Sequence, residues 1–125
     1  MPKEEIPPEA QQLIIQFQSL QQTLQAVMVQ KENSNIEKAE VENALDELSK
    51  TKDSTEVFKI AGPILIKVSK KDIEKELTEK KETIEVRLKN LENQEAKLTE
   101  RLRDIQKKLQ NMFSSQGASD DESAS

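Results

Sequence analysis

The amino-acid sequence predicts a mainly α fold, in which a long antiparallel two-helix coiled coil carries one β-hairpin between its helices. Of the 125 residues, 34% are charged and 2% are aromatic, which leaves few bulky side chains for a compact core. Apolar residues recur in alternating steps of three and four along both halves of the chain, as in heptad coiled coils. The most apolar run, VFKIAGPILIKVS at 57–69, is divided by a Gly-Pro pair and is typical of two short strands.

Composition narrows the possible functions. The chain contains neither cysteine nor histidine, so it lacks disulfides, thiolate nucleophiles and the commonest general base and metal ligand. Its net charge of −5 disfavours a nucleic-acid backbone as the main partner. The polar N-terminal residues do not resemble a signal peptide, and no apolar run approaches the ~18 residues that span a bilayer. We therefore expect a cytoplasmic protein that is not an enzyme, uses no cofactor or metal, and binds no nucleic acid and no membrane.

We expect a flexible N-terminus at 1–6 and a first coiled-coil helix at 7–52. Pro7 and Pro8 suit the first turn of a helix, and neither Gly nor Pro follows them before Gly62. The apolar residues of this segment form a seam that two lysines and a serine interrupt in the middle. The seam comprises Leu13, Phe17, Leu20, Leu24, Val27, Lys31, Ser34, Lys38, Val41, Leu45 and Leu48.

A second coiled-coil helix is expected at 70–113. Ser69 and Asp72 have the spacing of an N-terminal capping box, in which the serine hydroxyl accepts a hydrogen bond from a backbone N–H of the first turn. The same alternating steps define an apolar stripe that needs a covering partner. This seam comprises Leu77, Lys81, Ile84, Leu88, Leu91, Glu95, Leu98, Leu102, Ile105, Leu109 and Met112.

The two seams are close to mirror images about the Gly62-Pro63 pair. Leu13 lies as far before this turn as Met112 lies after it. A chain that turns at the hairpin and returns along itself would lay one seam on the other. This pattern favours an antiparallel coiled coil within one chain. Parallel coils between chains are the alternative, which the short linker makes less natural.

Charged residues on or beside the seams are candidates for setting the register of the coiled coil. Lys31 and Glu95 fall within about one layer of each other in the antiparallel arrangement, where each reduces the cost of burying the other. Glu37 and Arg87 are placed to pair across the helices. The alternative is that these positions are half-solvated in a thin seam and have no specific role.

Residues 53–69 are expected to form a linker and a β-hairpin. Because side chains alternate along a strand, we expect one almost wholly apolar face and one mixed face that carries lysines. The predicted apolar face comprises Phe58, Ile60, Ile64, Ile66 and Val68, and the mixed face comprises Val57, Lys59, Ala61, Leu65 and Lys67.

A lone two-stranded hairpin is marginally stable in water, and its open edges pair readily with other strands. We therefore expect the hairpins of several subunits to join into a shared sheet or barrel. The alternative is a hairpin that folds back on the end of its own coiled coil in a monomer. The candidate subunit interface comprises Val57, Phe58, Ile60, Ile64, Leu65, Ile66 and Val68.

A second candidate binding surface lies on the ends of the helices that are far from the hairpin in sequence. Positions beside the seam are polar over most of the coiled coil, but Ile14, Met28 and Phe113 are apolar. Exposed apolar surface among polar residues usually marks a binding site. The alternative is that fraying helix ends only pack on each other. The candidate binding tip comprises Ile6, Leu13, Ile14, Phe17, Leu109, Met112 and Phe113.

The last residues, SSQGASDDESAS at 114–125, have the composition of a disordered acidic tail. The tail is either a solubilising end or a contact for a basic partner surface. Its neighbouring carboxylates, Asp120 and Asp121, therefore give little support for an enzyme.

Three stretches resemble the prefoldin family: QFQSLQQTLQ, VFKIAGPILIKVS and EKKETIEVRLKNLENQEAKL. Together they extend the resemblance over residues 9–113. A single hairpin between long heptad arms is similar to the β subunits of archaeal type, since subunits of the α type carry two hairpins. Phe58 stands where the family often has tyrosine, which is a mild departure.

The resemblance implies an ATP-independent chaperone that acts as a holdase. It implies a hexamer of two α and four β subunits (α2β4), in which hairpins form the β-barrels of a platform and the coiled coils hang from it. The implied partners are the prefoldin α-type subunit, unfolded client proteins held by the tips, and a group II chaperonin that receives them. The residues implied for the barrels are Phe58, Ile60, Ile64, Ile66 and Val68.

Two other functions would use the same fold. A structural coiled-coil tether or scaffold subunit without client binding predicts polar tips. A helical arm that binds RNA predicts a basic stripe. The apolar tip disfavours the first function, and the acidic net charge of −5 disfavours the second.

Overall fold

The computed structural model describes the backbone of residues 6–124 and the side chains of residues 6–114. The predicted order of helix, hairpin and helix is confirmed. Of the N-terminal segment predicted to be flexible, residues 1–5 lie outside the described residues. The elements are α1 (Pro8–Lys50), β1 (Val57–Ala61), β2 (Ile64–Val68) and α2 (Lys70–Ala124).

Helix α1 begins one residue later and ends two residues earlier than the predicted range of 7–52. Its first turn is closed by the backbone N–H of Gln11, which donates to the carbonyl oxygen of Pro7 at 2.9 Å. Proline fits here because the first N–H groups of a helix have no intrahelical acceptors. At the other end, the N–H of Thr51 donates to the Leu48 carbonyl oxygen at 3.1 Å. This tighter bond, three residues back, ends the helix.

Helix α2 starts with the predicted cap and extends beyond the predicted end. The Oγ of Ser69 accepts a hydrogen bond of 3.0 Å from the backbone N–H of Asp72. The helical backbone continues to Ala124, where the sequence predicts a disordered tail from residue 114. No proline interrupts this segment, and its one glycine, Gly117, costs only about 1 kcal/mol relative to alanine in a helix. Nothing in the local sequence therefore forces the backbone out of the helix at residue 114.

The chain divides into two compact units. The hairpin unit, Gln30–Leu91, contains the hairpin and the adjoining part of each helix. The terminal unit consists of Met1–Val29 and Glu92–Ser125 and contains the remaining part of each helix. Each unit has its own set of buried seam residues.

Side chains from both helices pack together in the core of the hairpin unit. Val41 of α1 and Ile84 and Leu88 of α2 form a buried cluster, against which Leu45 and Leu77 pack. All five lie on the predicted seams. Burying side chains of this size contributes ~1.5–3 kcal/mol each, so this cluster is a main source of stability in the unit.

Ion pairs between α1 and α2 show that the helices run antiparallel in the hairpin unit. Arg87 pairs with Glu37 at 3.7 Å, whereas Lys81, earlier in α2, pairs with Glu42, later in α1, at 3.3 Å. The predicted pair of Glu37 and Arg87 is thus confirmed. Lys38–Glu85 at 3.4 Å follows the same trend. Glu37 is also reached by Lys80, seven residues before Arg87 on α2, at 3.7 Å.

The terminal unit also buries seam residues of both helices. Val27 of α1 and Leu102 and Ile105 of α2 are buried. Ala10, three residues before Leu13, is fully buried as well. The seam therefore starts earlier than the sequence indicated. The other apolar seam residues of this unit are half-buried: Leu13, Phe17, Leu20, Leu24, Leu98, Leu109 and Met112.

The hairpin turns tightly at its Gly-Pro pair. Gly62 has a φ of 60°, and the ring of Pro63 fixes its φ near −65°. This is the combination found in the type II′ turns that close two-residue hairpins. The turn places Ala61 directly opposite Ile64 in the antiparallel ladder. The register of every other pair follows from this one.

This register corrects the predicted faces of the hairpin. Residues directly opposite each other project on the same face. Phe58 is opposite Lys67 and Ile60 is opposite Leu65. The sequence predicts Phe58 and Ile60 on the same face as the even-numbered residues of β2. That prediction is wrong, because the two-residue turn pairs each even-numbered residue of β1 with an odd-numbered residue of β2. The first face comprises Phe58, Ile60, Leu65 and Lys67, and the second comprises Val57, Lys59, Ala61, Ile64, Ile66 and Val68.

Candidate functional site

The first face of the hairpin, called the open face below, exposes three large apolar side chains. Phe58, Ile60 and Leu65 are 51%, 74% and 67% exposed. The one charged residue on this face, Lys67, pairs with Glu56 of the linker at 3.2 Å. The charge thus lies beside the apolar patch and is already partnered, which leaves the patch available for an apolar contact.

The second face, called the α2 face below, is partly covered. The Nζ of Lys59 donates to Oε1 of Glu76 in α2 at 2.7 Å. Val57 and Val68 are half-buried, whereas Ile64 and Ile66 remain exposed. One end of the α2 face therefore contacts its own chain, and the end nearer the turn lies in solvent.

A lysine holds the base of the hairpin in place. The Nζ of Lys70 donates to the carbonyl oxygen of Thr51 at 2.7 Å and to Oδ1 of Asp53 at 3.2 Å. This side chain is only 17% exposed. It joins the start of α2 to the end of α1 and to the linker, and so fixes where the hairpin leaves the helices. A cation in the first turn of a helix opposes the helix dipole, and this local misfit is the one sequence signal that could have revealed the contact.

The predicted subunit interface is thus divided between both faces. Each strand of the two-stranded sheet also has one edge without a strand partner in the described chain. Unpaired edges and exposed apolar faces together favour strand addition or sheet packing with another chain. The predicted interface residues on the open face are Phe58, Ile60 and Leu65, and those on the α2 face are Val57, Ile64, Ile66 and Val68.

The terminal unit carries the predicted tip. Ile6 and Phe113 are 45% and 43% exposed, and five other tip residues are half-buried. Leu13 of α1 and Ile105 of α2 line one surface groove, so the structure brings the start of α1 beside the later part of α2 within this unit. The five half-buried tip residues are Leu13, Ile14, Phe17, Leu109 and Met112.

Sequence reasoning missed two exposed apolar residues of this unit. Ile15 and Val29 are 66% and 51% exposed and lie beside Ile14 and Met28 on α1. They occupy the heptad position opposite the seam, where an apolar residue has no role in the coiled coil itself. That spacing is the signal that could have identified them. The uncharged run from Ala10 to Gln30 surrounds them with glutamines.

The two residues predicted to set the coil register, Lys31 and Glu95, are both half-buried. Their role in register remains a prediction. Across residues 6–124, neither helix is long and apolar enough to cross a membrane.

These features define a helix–hairpin–helix protein of the coiled-coil type with apolar surface exposed on both units. A family model described as a prefoldin subunit matches residues 11–116. The chain therefore belongs to the prefoldin family, a family of chaperones.

Relatives of known class refine this assignment. The prefoldin subunit beta of Archaeoglobus fulgidus is 51% identical over 112 residues, which are 90% of this chain and 97% of that protein. The prefoldin subunit beta of Thermococcus onnurineus is 41% identical over 105 residues, which are 84% of this chain and 90% of that protein. The crystal structure of the prefoldin beta subunit from Thermococcus strain KS-1 matches with a TM-score of 0.81 at 40% identity, over 88% of this chain and 96% of that one. The predicted resemblance to prefoldin β subunits is confirmed.

Proposed function

We propose that this chain is a subunit of an ATP-independent holdase, which captures unfolded proteins on its terminal unit and delivers them to a group II chaperonin. The observation that carries the proposal is the large apolar side chains that this unit leaves in water. Such surface marks a binding site, and flexible methionine and aliphatic side chains adapt to many sequences. These side chains are Ile6, Ile15, Met28, Val29 and Phe113.

We propose the hairpin as the assembly site of the same subunit. Its two edges and its apolar faces support pairing with hairpins of other subunits into the β-barrels of an α2β4 hexamer with the prefoldin α-type subunit. Several weak terminal units on one platform would hold a client by avidity, since each bound unit raises the effective concentration of the next. The proposed complex works in the cytoplasm by binding alone, without catalysis or a cofactor.

The test is suppression of aggregation by the complex of the full chain with an α-type subunit. Chemically denatured citrate synthase is diluted into buffer without ATP, and light scattering reports aggregation. Removal of residues 1–17 and 109–125 is expected to abolish suppression while the mass of the complex falls only by the deleted residues. Full suppression after both truncations would overturn the proposed role of the terminal unit. Assembly without suppression by the intact complex would favour a structural scaffold.

A matched pair of variants tests which exposed apolar residues matter. The double variant Ile6→Ser/Phe113→Ser removes two apolar side chains from the tip, where they are 45% and 43% exposed. The control Ile36→Ser/Val86→Ser removes two from the hairpin unit, where they are 52% and 62% exposed. We expect the first variant to require about tenfold more complex for half-suppression, and the control to match the wild type. Equal losses in both variants would show that general surface hydrophobicity, and not the tip, captures the client.

A further inference from the structure

The terminal unit combines an apolar groove with a cationic rim. Leu13 and Ile105 supply apolar surface in the groove, and Ile105 is buried. Arg101 and Lys108 line the same groove and are exposed. They lie seven residues apart, so they project from the same side of α2 about 10 Å from each other. Gln16 and Asp104 complete the lining.

Within residues 6–114, whose side chains the structure describes, these cations have no carboxylate partner in a salt bridge. Among the side chains that the structure describes, neither Arg101 nor Lys108 takes part in a salt bridge, and the same holds for Arg103 and Lys107. In the hairpin unit, by contrast, Lys81 pairs with a glutamate of the opposite helix at 3.3 Å. Arg101 and Lys108 are exposed and make no salt bridge with the described side chains, which leaves both cations accessible to an external partner.

The local charge balance also runs against that of the whole chain. Residues 97–114 contain five cations and two carboxylates, a balance of +3 in a chain whose net charge is −5. The part of α1 that belongs to the terminal unit has no charged side chain from Ala10 to Val29, where this segment of the unit ends. The helix opposite the cations therefore offers them no carboxylate from this stretch, and only Asp104 lies in the groove itself.

We infer that the terminal unit binds apolar polypeptide segments flanked by acidic residues in preference to those flanked by basic residues. This inference rests on the proposed client-binding function and gives that surface a charge preference. The apolar floor would take the hydrophobic side chains of the segment, while Arg101 and Lys108 would pair with its flanking carboxylates. A nucleic-acid strand would satisfy the cations only, because the groove lining contains no aromatic side chain on which a base could stack.

Two synthetic peptides test the preference on the assembled complex of the full chain with an α-type subunit. Both carry the same leucine- and valine-rich centre; one is flanked by glutamates and the other by lysines. Fluorescence anisotropy at low salt is expected to show binding of the glutamate-flanked peptide about three- to tenfold tighter, the range that two exposed ion pairs provide. The ratio is expected to fall toward one at 1 M NaCl, where the Debye length is about 3 Å.

Variants assign the preference to the rim. Arg101→Gln/Lys108→Gln is expected to remove it, and Arg101→Glu/Lys108→Glu is expected to reverse it. The control Lys75→Gln/Lys89→Gln changes the net charge equally with two exposed lysines of the hairpin unit and is expected to keep it. A reversed preference cannot come from a structural defect alone.

The outcomes separate the inference from the proposed function. Equal binding of both peptides by the wild type, or an equal loss of preference in the control, would overturn the inference and leave client binding intact. Failure of the wild type to bind either peptide would overturn the proposed function and the inference with it. Tighter binding of an oligoadenylate strand than of the glutamate-flanked peptide would also overturn the inference in favour of a nucleic-acid partner.

Discussion

The hairpin unit and the terminal unit share the same two helices and the same heptad seam, yet they treat charge in opposite ways. In the hairpin unit, ion pairs between the helices flank the buried cluster around Ile84. In the terminal unit, α1 carries an uncharged stretch from Ala10 to Val29. On α2 of that unit, Arg101 and Lys108 lie in no salt bridge with the described side chains.

This difference indicates what each unit is built to do. Complementary charges fix one register and exclude wrong partners. An uncharged helix face with exposed aliphatic side chains accepts many sequences, because it imposes no polar group that a partner must satisfy. The ion pairs of the hairpin unit thus favour one arrangement of the helices, and the uncharged helix face of the terminal unit suits the proposed binding of varied clients.

The largest expected effect is loss of assembly when a charge is placed on the open face of the hairpin. Leu65→Asp places a carboxylate on the open face of the hairpin, where burial of an unpaired charge costs several kcal/mol. We expect the complex to dissociate, with a light-scattering mass close to that of single chains. The control is Val86→Asp, at a position that is 62% exposed on α2. An unchanged mass for Leu65→Asp would mean that the open face is not the assembly surface.

A smaller effect, on the free energy of unfolding, is expected when a core side chain of either unit is truncated. Ile84 is 1% exposed, and Ile84→Ala is expected to lower the free energy of unfolding by about 2–5 kcal/mol. Leu109 in the terminal unit is half-buried, so Leu109→Ala should cost less, because the removed atoms were already partly in water. Urea unfolding followed by circular dichroism measures both. A larger loss for Leu109→Ala would place the tighter core in the terminal unit and reverse the comparison.

The smallest effect concerns the ion pairs. Glu42→Gln removes the partner of Lys81, and both side chains are partly exposed. We expect a loss of about 0.5 kcal/mol at low salt that vanishes at 1 M NaCl, because salt screens exposed pairs. The control, Glu100→Gln in the terminal unit, should leave the free energy of unfolding unchanged. Equal losses in the two variants would show that the units do not differ in their use of charge.

Much of the fold could be predicted because it depends on local periodicity. The seams, the cap at Ser69 and the pair of Glu37 with Arg87 follow from spacing along the chain and one reversal of direction. The faces of the hairpin could not be predicted in the same way. Alternation along each strand is a local property, but the parity between the strands depends on the length of the turn.

The candidate surfaces were predicted only in part for a related reason. The apolar tip is visible in the sequence because Ile14 and Phe113 widen the stripe beside the seam. The availability of Arg101 and Lys108 is not visible, since sequence spacing offers them nearby carboxylates, such as Asp104, with which they make no salt bridge in the structure. Whether an exposed charge is paired depends on side-chain conformation, which small energy differences decide.

The sequence by itself determined two heptad helices, the hairpin between them and the apolar widening of the terminal unit, because each arises from residues that are neighbours along one element. Only the tertiary structure decided which hairpin residues share a face, how Lys70 ties the start of α2 to the linker, and that Arg101 and Lys108 make no salt bridge with the described side chains. These features depend on distances between elements. The length of the turn decides which strand residues face each other, and the position of a lysine side chain decides which groups it contacts. Neither leaves a mark on the periodic pattern of the helices.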